Sequence, residues 1–190
     1  TAGQVDKHMS LIDKAKDDGV DCTLDIYPYP TGSTIPVSFL PDFAQEGGPD
    51  AIIERLNNTA QRKKIIQFLK ETDELPVDLE AAVFSYLPRN PDLEGMTLSE
   101  IAAQRDKPLE DTLCDLLVEE RLKIGYWEKP PDIDVWNQIN KDCMELLSRP
   151  DYMVCSDITP AGSRPHPRCY GAFPRFLGRL RRDFGLISLE

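Results

Sequence analysis

Two strand patterns, at residues 21–29 and 152–156, constrain the fold of this chain more than any other feature. The first contains Cys-Thr-Leu-Asp-Ile-Tyr and ends at two prolines, and the second leads directly into Ser156-Asp157. Parallel strands that are buried on both faces read as continuous apolar runs, and functional groups in such folds sit where strands end and loops begin. We therefore expect an α/β fold in which a buried strand carries the Asp157 carboxylate at its end.

The chain between these strands has mainly helical patterns. Apolar residues recur at helical spacing in several segments, and Thr97-Leu-Ser-Glu100 is a capping-box pattern that begins a further helix. Helices are predicted at 4–18, 49–57, 58–71 (with Thr59 as its cap), from Thr97 onwards, at 109–121 and at 132–147, with short strands near 81–86 and 123–127. Ordinary βα connections are a few residues plus one helix. Residues 35–150 are therefore predicted to be an insertion or lid between segments 1–34 and 151–190.

Composition excludes several classes of protein. A formal net charge of -11 argues against a nucleic-acid-binding surface, since phosphate neutralisation needs clustered Lys and Arg. The one basic cluster, at residues 175–182, is interpreted as a solvated helix face. No apolar run approaches the roughly 18 residues of a membrane span, and no signal-peptide pattern opens the chain. The five cysteines are scattered and odd in number, so we expect reduced thiols in a cytoplasmic protein.

Both ends of the sequence are unusual for a complete domain. Thr1 is not an initiator methionine, and Ser188 stands where an N-cap would begin another helix. We expect the chain to be a slice of a longer protein.

Three motifs together resemble one family, the N-acyl-D-amino-acid deacylases (D-aminoacylases) of the amidohydrolase superfamily. They are Asp25-Ile-Tyr-Pro-Tyr29, Thr31-Gly-Ser-Thr34, and Ser156-Asp157 followed by the run from His166 to Gly178. The resemblance implies that the chain is the C-terminal slice of a (β/α)₈ TIM barrel, with a large helical insertion between its last two strands. It places Tyr29 at the end of the seventh strand and Asp157 at the end of the eighth.

The same resemblance implies the roles of individual residues. It makes Asp157 the general base and acid, and Arg168 the group that holds the α-carboxylate of the substrate. Tyr27 and Ser33 match positions that contact the substrate through their hydroxyls. Ser156 and His166 are expected to support these residues through packing and hydrogen bonds rather than to touch the substrate.

The resemblance also implies a zinc cofactor whose ligands lie outside this chain. The metal ligands of the family come from the first to the sixth strands, which would precede Thr1. We therefore expect no metal ligand among these residues, His166 included, and interpret His8 as a solvent-facing histidine. Cys155 and Ile158 stand where family members carry Gly, and Cys155 is interpreted as a small core residue of the buried strand.

The expected function is hydrolysis of the amide bond of N-acyl-D-amino acids by metal-activated water, with this chain as part of the enzyme and inactive when isolated. Its partners would be the small-molecule substrate and the rest of the barrel or a partner chain. Two alternatives stay open: a non-catalytic oligomerisation or regulatory fragment, and an amidohydrolase that acts on a cyclic amide, like dihydroorotases and hydantoinases.

Overall fold

The computed structural model describes residues 2–72, 75, 78–159 and 162–188, and the chain divides into two compact units. The first comprises Thr1–Thr31, Pro130–Ile158 and Pro167–Glu190, and the second Gly32–Lys129 and Thr159–His166. The helices of the described residues are α1 (Val5–Asp17), α2 (Asp42–Gln45), α3 (Gly48–Asn57), α4 (Thr59–Glu71), α5 (Leu98–Arg105), α6 (Leu109–Glu119), α7 (Ile133–Leu147), α8 (Arg168–Arg175) and α9 (Arg181–Phe184). The strands are β1 (Leu24–Ile26), β2 (Ser33–Thr34), β3 (Val83–Tyr86), β4 (Gly125–Trp127) and β5 (Tyr152–Val154).

The first unit is built around a parallel pair of strands, β1 and β5. Helix α7 packs against both α1 and β5, and a π-helical segment, Phe176–Leu180, joins α8 to α9. The prediction of a buried β5 is wrong for this chain, because Met153 is 55% exposed. Among the described residues β5 pairs only with β1, so no second strand lies beside it.

The second unit has its own hydrophobic core. Its antiparallel sheet has the order β2-β4-β3, and Tyr126 of β4 packs its ring 4.8 Å from that of Phe39. Helices α3, α4 and α6 contribute fully buried aliphatic side chains, among them Leu56, Ile65 and Leu117. Each such side chain stabilises the fold by about 1.5–3 kcal/mol relative to an exposed one, so this unit has a substantial core without contributions from the first.

Most of the helical patterns are confirmed, with small differences at the ends. The capping box forms as predicted, since Thr97 accepts from the backbone N–H of Glu100 while the Glu100 carboxylate accepts from that of Thr97. Helix α4 is capped by Asn58 and not by Thr59. The Asn58 side chain accepts from two backbone N–H groups of the first turn, which the Thr59 side chain, already inside the helix, does not do.

The segment boundaries 1–34, 35–150 and 151–190 stay a prediction. In the structure, α7 belongs to the first unit although it falls within the predicted insertion, and residues 159–166 belong to the second. Across the described ranges, no helix is long and apolar enough to cross a membrane.

The capping box gives a stability prediction for the second unit. Thr97→Ala removes the hydroxyl that accepts from the Glu100 N–H at 3.2 Å, so we expect a loss of about 1 kcal/mol in the free energy of unfolding. Denaturant unfolding measures the loss. Gln104→Ala, at an exposed position of the same helix, is the control, and an equal loss in both variants would contradict a capping role.

The same motif predicts a dependence on pH. Hydrogen bonds from the backbone N–H and the hydroxyl of Thr97 lower the pKa of Glu100. Its stabilising contribution is therefore present above the unfolded pKa of about 4.3 and is lost as pH falls through the lowered folded value. We expect Glu100→Gln to be less stable than the parent at pH 7, with the difference shrinking below about pH 4. Urea titrations from pH 7 to pH 3 measure this, with Glu54→Gln as the exposed control.

Candidate functional site

The ends of two paired strands define the candidate site. In the parallel register Leu24 lies opposite Tyr152 and Ile26 opposite Val154. The backbone N–H of Cys155 donates to the Ile26 carbonyl at 3.1 Å and continues the pairing past the strands. Because parallel strands end at the same edge, the residues that follow them, Tyr27 and Asp157, emerge at that edge.

The backbone of Asp157 is in the left-handed region, with a φ of 44°. Few residues other than Gly adopt this conformation, and Asp and Asn are among those that tolerate it best. It costs of order 1 kcal/mol. The side chain is 55% exposed, so it is accessible to water and to small molecules.

Asp157 is paired with a buried arginine. Nη2 of Arg168 lies 2.9 Å from Oδ2 of Asp157, and the Arg168 side chain is only 1% exposed. Its guanidinium carbon lies 4.2 Å from the centroid of the Tyr27 ring. Carboxylate and aromatic ring together hold the guanidinium in one orientation, so three of the predicted site residues, Asp157, Arg168 and Tyr27, lie together in the first unit.

This arrangement has the chemistry of a carboxylate-binding site. A guanidinium is planar and carries five N–H donors, so it can hold two carboxylates or one carboxylate bidentately. Arginines are almost never buried without such partners. The arginine begins α8 directly after Pro167, whose fixed φ suits the start of a helix.

Ser33 lies in the other unit, on β2. It is 6% exposed, and its hydroxyl is 2.6 Å from that of Thr159. In the register of that sheet Ser33 lies opposite Trp127. The predicted contact between Ser33 and substrate stays a prediction.

The two supporting residues differ in burial. Ser156 is half-buried in the first unit, whereas His166 is 2% exposed in the second. The packing role of His166 stays a prediction. His8, at the other end of the chain, is solvent-exposed on α1 as predicted.

The loop that precedes His166 is fixed within the second unit by one carboxylate. Glu94 accepts from the backbone N–H of Leu87 at 2.9 Å and of Ser163 at 2.7 Å. Although partial burial raises the pKa of Glu94, hydrogen bonds from Ser163 and Leu87 outweigh it and lower the pKa overall. A Cβ at Gly162 would lie 1.9 Å from the Ser85 carbonyl oxygen, so the loop can approach β3 only with Gly there.

The Cys155 thiol is only partly buried, so the interpretation of Cys155 as a core residue is wrong. Burial raises the pKa of this thiol, and the nearby Asp25 and Asp157 carboxylates raise it further. Since the thiolate is the reactive form, a raised pKa makes the thiol less reactive. All five cysteines have free thiols.

Sequence reasoning missed one residue next to the site, Arg175. The solvated-face interpretation is wrong for Arg175, which donates from Nε to the Pro28 carbonyl and from Nη2 to the Asn140 side chain, both at 2.8 Å. Its guanidinium carbon lies 4.9 Å from the Tyr29 ring centroid. The spacing of seven residues between Arg168 and Arg175 puts both on one helix face, and that signal could have found the second arginine.

No metal centre is built by the residues described here. Within residues 2–72, 75, 78–159 and 162–188, no group of three or more His, Cys, Asp or Glu side chains could hold a metal ion. The side chains around Arg168 therefore do not fit a zinc ion.

Comparison with known proteins identifies relatives of this chain. No protein-family model matches it. D-aminoacylase of Alcaligenes xylosoxydans xylosoxydans is 36% identical over 100 residues, which cover 53% of this chain and 18% of that protein. N-acyl-D-glutamate deacylase of the same organism is 28% identical over 182 residues, 96% of this chain and 28% of the relative.

A solved structure agrees over the whole chain. It is that of N-acyl-D-glutamate deacylase from Bordetella bronchiseptica, complexed with zinc and a phosphonate inhibitor that mimics the tetrahedral intermediate. The TM-score is 0.62 at 25% sequence identity, and the match covers 100% of this chain and 30% of that one. The chain thus spans less than a third of each of these relatives. The resemblance to the N-acyl-D-amino-acid deacylases is confirmed, over a part of their length.

Proposed function

We propose that this chain supplies the proton-transfer carboxylate and the carboxylate-binding arginine of a zinc-dependent N-acyl-D-amino-acid deacylase. The observation that carries the proposal is the pair of Asp157 and buried Arg168, 2.9 Å apart at the end of parallel strands. The names of the relatives support the substrate class. The parallel pairing of β1 with β5 supports their assignment as the seventh and eighth strands of a (β/α)₈ barrel.

Arg168 would hold the α-carboxylate of the substrate. The planar guanidinium meets a carboxylate through two parallel N–H···O bonds, and its burial against Tyr27 limits the directions in which those donors point. A guanidinium has more donors than the contact with Asp157 uses, so the substrate carboxylate and Asp157 can share it. The hydroxyls of Tyr27 and Ser33 would add hydrogen bonds to the substrate.

Asp157 would move the proton of the reaction. Its exposed carboxylate takes a proton from the water that attacks the acyl carbonyl, and a C–O bond forms to give a tetrahedral intermediate. The same carboxyl then gives the proton to the amide nitrogen as the C–N bond breaks, which releases a carboxylate and a D-amino acid. General acid and base catalysis of this kind contributes about 10²–10⁴-fold in rate.

Zinc would be bound by residues outside this chain, because the described side chains form no cluster that could hold it. Ser156 and His166 would support the segments that carry Asp157 and Arg168 through packing and hydrogen bonds, without touching the substrate.

The role of Asp157 is tested by Asp157→Asn in the complete enzyme. Asn accepts the left-handed backbone of this position but cannot take up a proton, so we expect kcat to fall by about 10²–10⁴-fold with folding and metal content intact. Turnover of N-acetyl-D-amino acids, circular dichroism and metal analysis measure these. Asp183→Asn is a matched control, because Asp183 is also 55% exposed and paired with an arginine. Unchanged turnover in Asp157→Asn would favour the non-catalytic alternative.

The role of Arg168 is tested by Arg168→Met. Loss of the guanidinium should raise KM for N-acetyl-D-amino acids by about a hundredfold. This corresponds to about 2.7 kcal/mol of binding free energy, which is the scale of a lost buried charge partner. A variant whose KM for N-acetyl-D-amino acids equals that of the parent would contradict the carboxylate-binding role. Hydantoin is a cyclic amide without a carboxylate, so efficient turnover of hydantoin by the parent enzyme would favour the cyclic-amide alternative.

A further inference from the structure

Two arginines of one helix stack on two tyrosines of one strand end. Arg168 and Arg175 are the first and last residues of α8, and they lie 4.2 Å and 4.9 Å from the ring centroids of Tyr27 and Tyr29, respectively. The first pair forms the proposed carboxylate site. The second pair lies outside it and has no role in the proposed reaction.

The Arg175 guanidinium makes several contacts besides its stacking on Tyr29. Arg175 donates to the backbone carbonyl of Pro28, between the two tyrosines, and to the side chain of Asn140, which is 5% exposed. Its guanidinium carbon also lies 5.4 Å from the ring centroid of Trp136. Trp136 and Asn140 are one turn apart on α7, so Arg175 joins α7, α8 and the end of β1.

The backbone of α8 approaches this strand end unusually closely at Gly171. A Cβ at this position would lie 2.1 Å from the Tyr29 hydroxyl oxygen, which is far inside van der Waals contact. Gly171 is three residues after Arg168 and four before Arg175, on the same helix face. The Tyr29 hydroxyl therefore fits against the one helical position that has no side chain.

We infer that Arg175, with Tyr29 and Gly171, is a positioning element that fixes the distance between Arg168 and Tyr27 and so sets the geometry of carboxylate binding. This inference rests on the proposed function. Arg175 anchors the carbonyl next to Tyr27, and Gly171 sets how near α8 lies to the strand. Small displacements of a binding group have large effects, about 10²-fold for 1 Å, so the element acts on substrate affinity through Arg168 and Tyr27.

The first test is Arg175→Met in the complete enzyme, with Arg179→Met as control. Arg179 is on the following turn, is 67% exposed and pairs with the exposed Asp183. We expect KM for N-acetyl-D-amino acids to rise roughly ten- to hundredfold in Arg175→Met and to stay unchanged in Arg179→Met, with kcat changing less than KM. A KM equal to that of the parent overturns the inference.

A double-mutant cycle separates positioning from a general loss of structure. If Arg175 acts through Arg168, Arg175→Met should raise KM no further in an Arg168→Met background. An equal and additional rise in that background overturns the inference, because the effect then does not pass through the carboxylate site.

The second test uses the close approach at Gly171 and does not depend on removing the arginine. Gly171→Ala should raise KM and lower the melting temperature, and adding Tyr29→Phe, which removes the hydroxyl that the new methyl meets, should restore much of both. If Tyr29→Phe does not restore KM and the melting temperature, the close approach at Gly171 does not position the site.

The parent enzyme distinguishes failure of the proposed function from failure of the inference. If the parent does not hydrolyse N-acyl-D-amino acids, both fall. If the parent does so and Arg175→Met has the same KM, only the inference falls.

Discussion

The parallel pairing of β1 with β5 is the constraint on which the candidate site depends. It joins two segments separated by residues 27–151 and aligns their ends at one edge. Without this pairing, Tyr27 would not be brought next to the Asp157–Arg168 pair. Each strand contributes only three residues, and α7 packs against β5.

Two arginines lie next to this edge of the strand pair. The chain is strongly acidic, yet both arginines of α8 face inward and stack on aromatic rings. Burial of a guanidinium is tolerated where hydrogen-bond acceptors and π-faces replace water. Burial lowers the pKa of Arg175 from its ordinary value, but with acceptors at 2.8 Å from two of its nitrogens it is held as a cation. These contacts offset the cost of desolvating the guanidinium groups. They also hold each group in one orientation, which suits a planar guanidinium for binding a planar anion.

Local patterns predicted the elements well and their environments less well. The helical periodicities and the capping box at Thr97 depend on neighbours within one turn, so they can be read directly from the sequence. The motif resemblance led to Asp157 and Arg168, which the structure places in contact. The exposure of Met153 and the burial of Arg175 depend on which elements pack together. Residues far apart in the chain decide this, and no local pattern contains it.

The left-handed backbone at Asp157 restricts which amino acids this position can accept. Glu has the same charge, but it adopts this backbone conformation less readily than Asp and its carboxylate lies one methylene further from its own backbone. Gly would adopt the conformation freely but has no acid. Shape and chemistry are thus encoded by a single residue, and mutational tolerance there should be narrower than the 55% exposure of its side chain suggests.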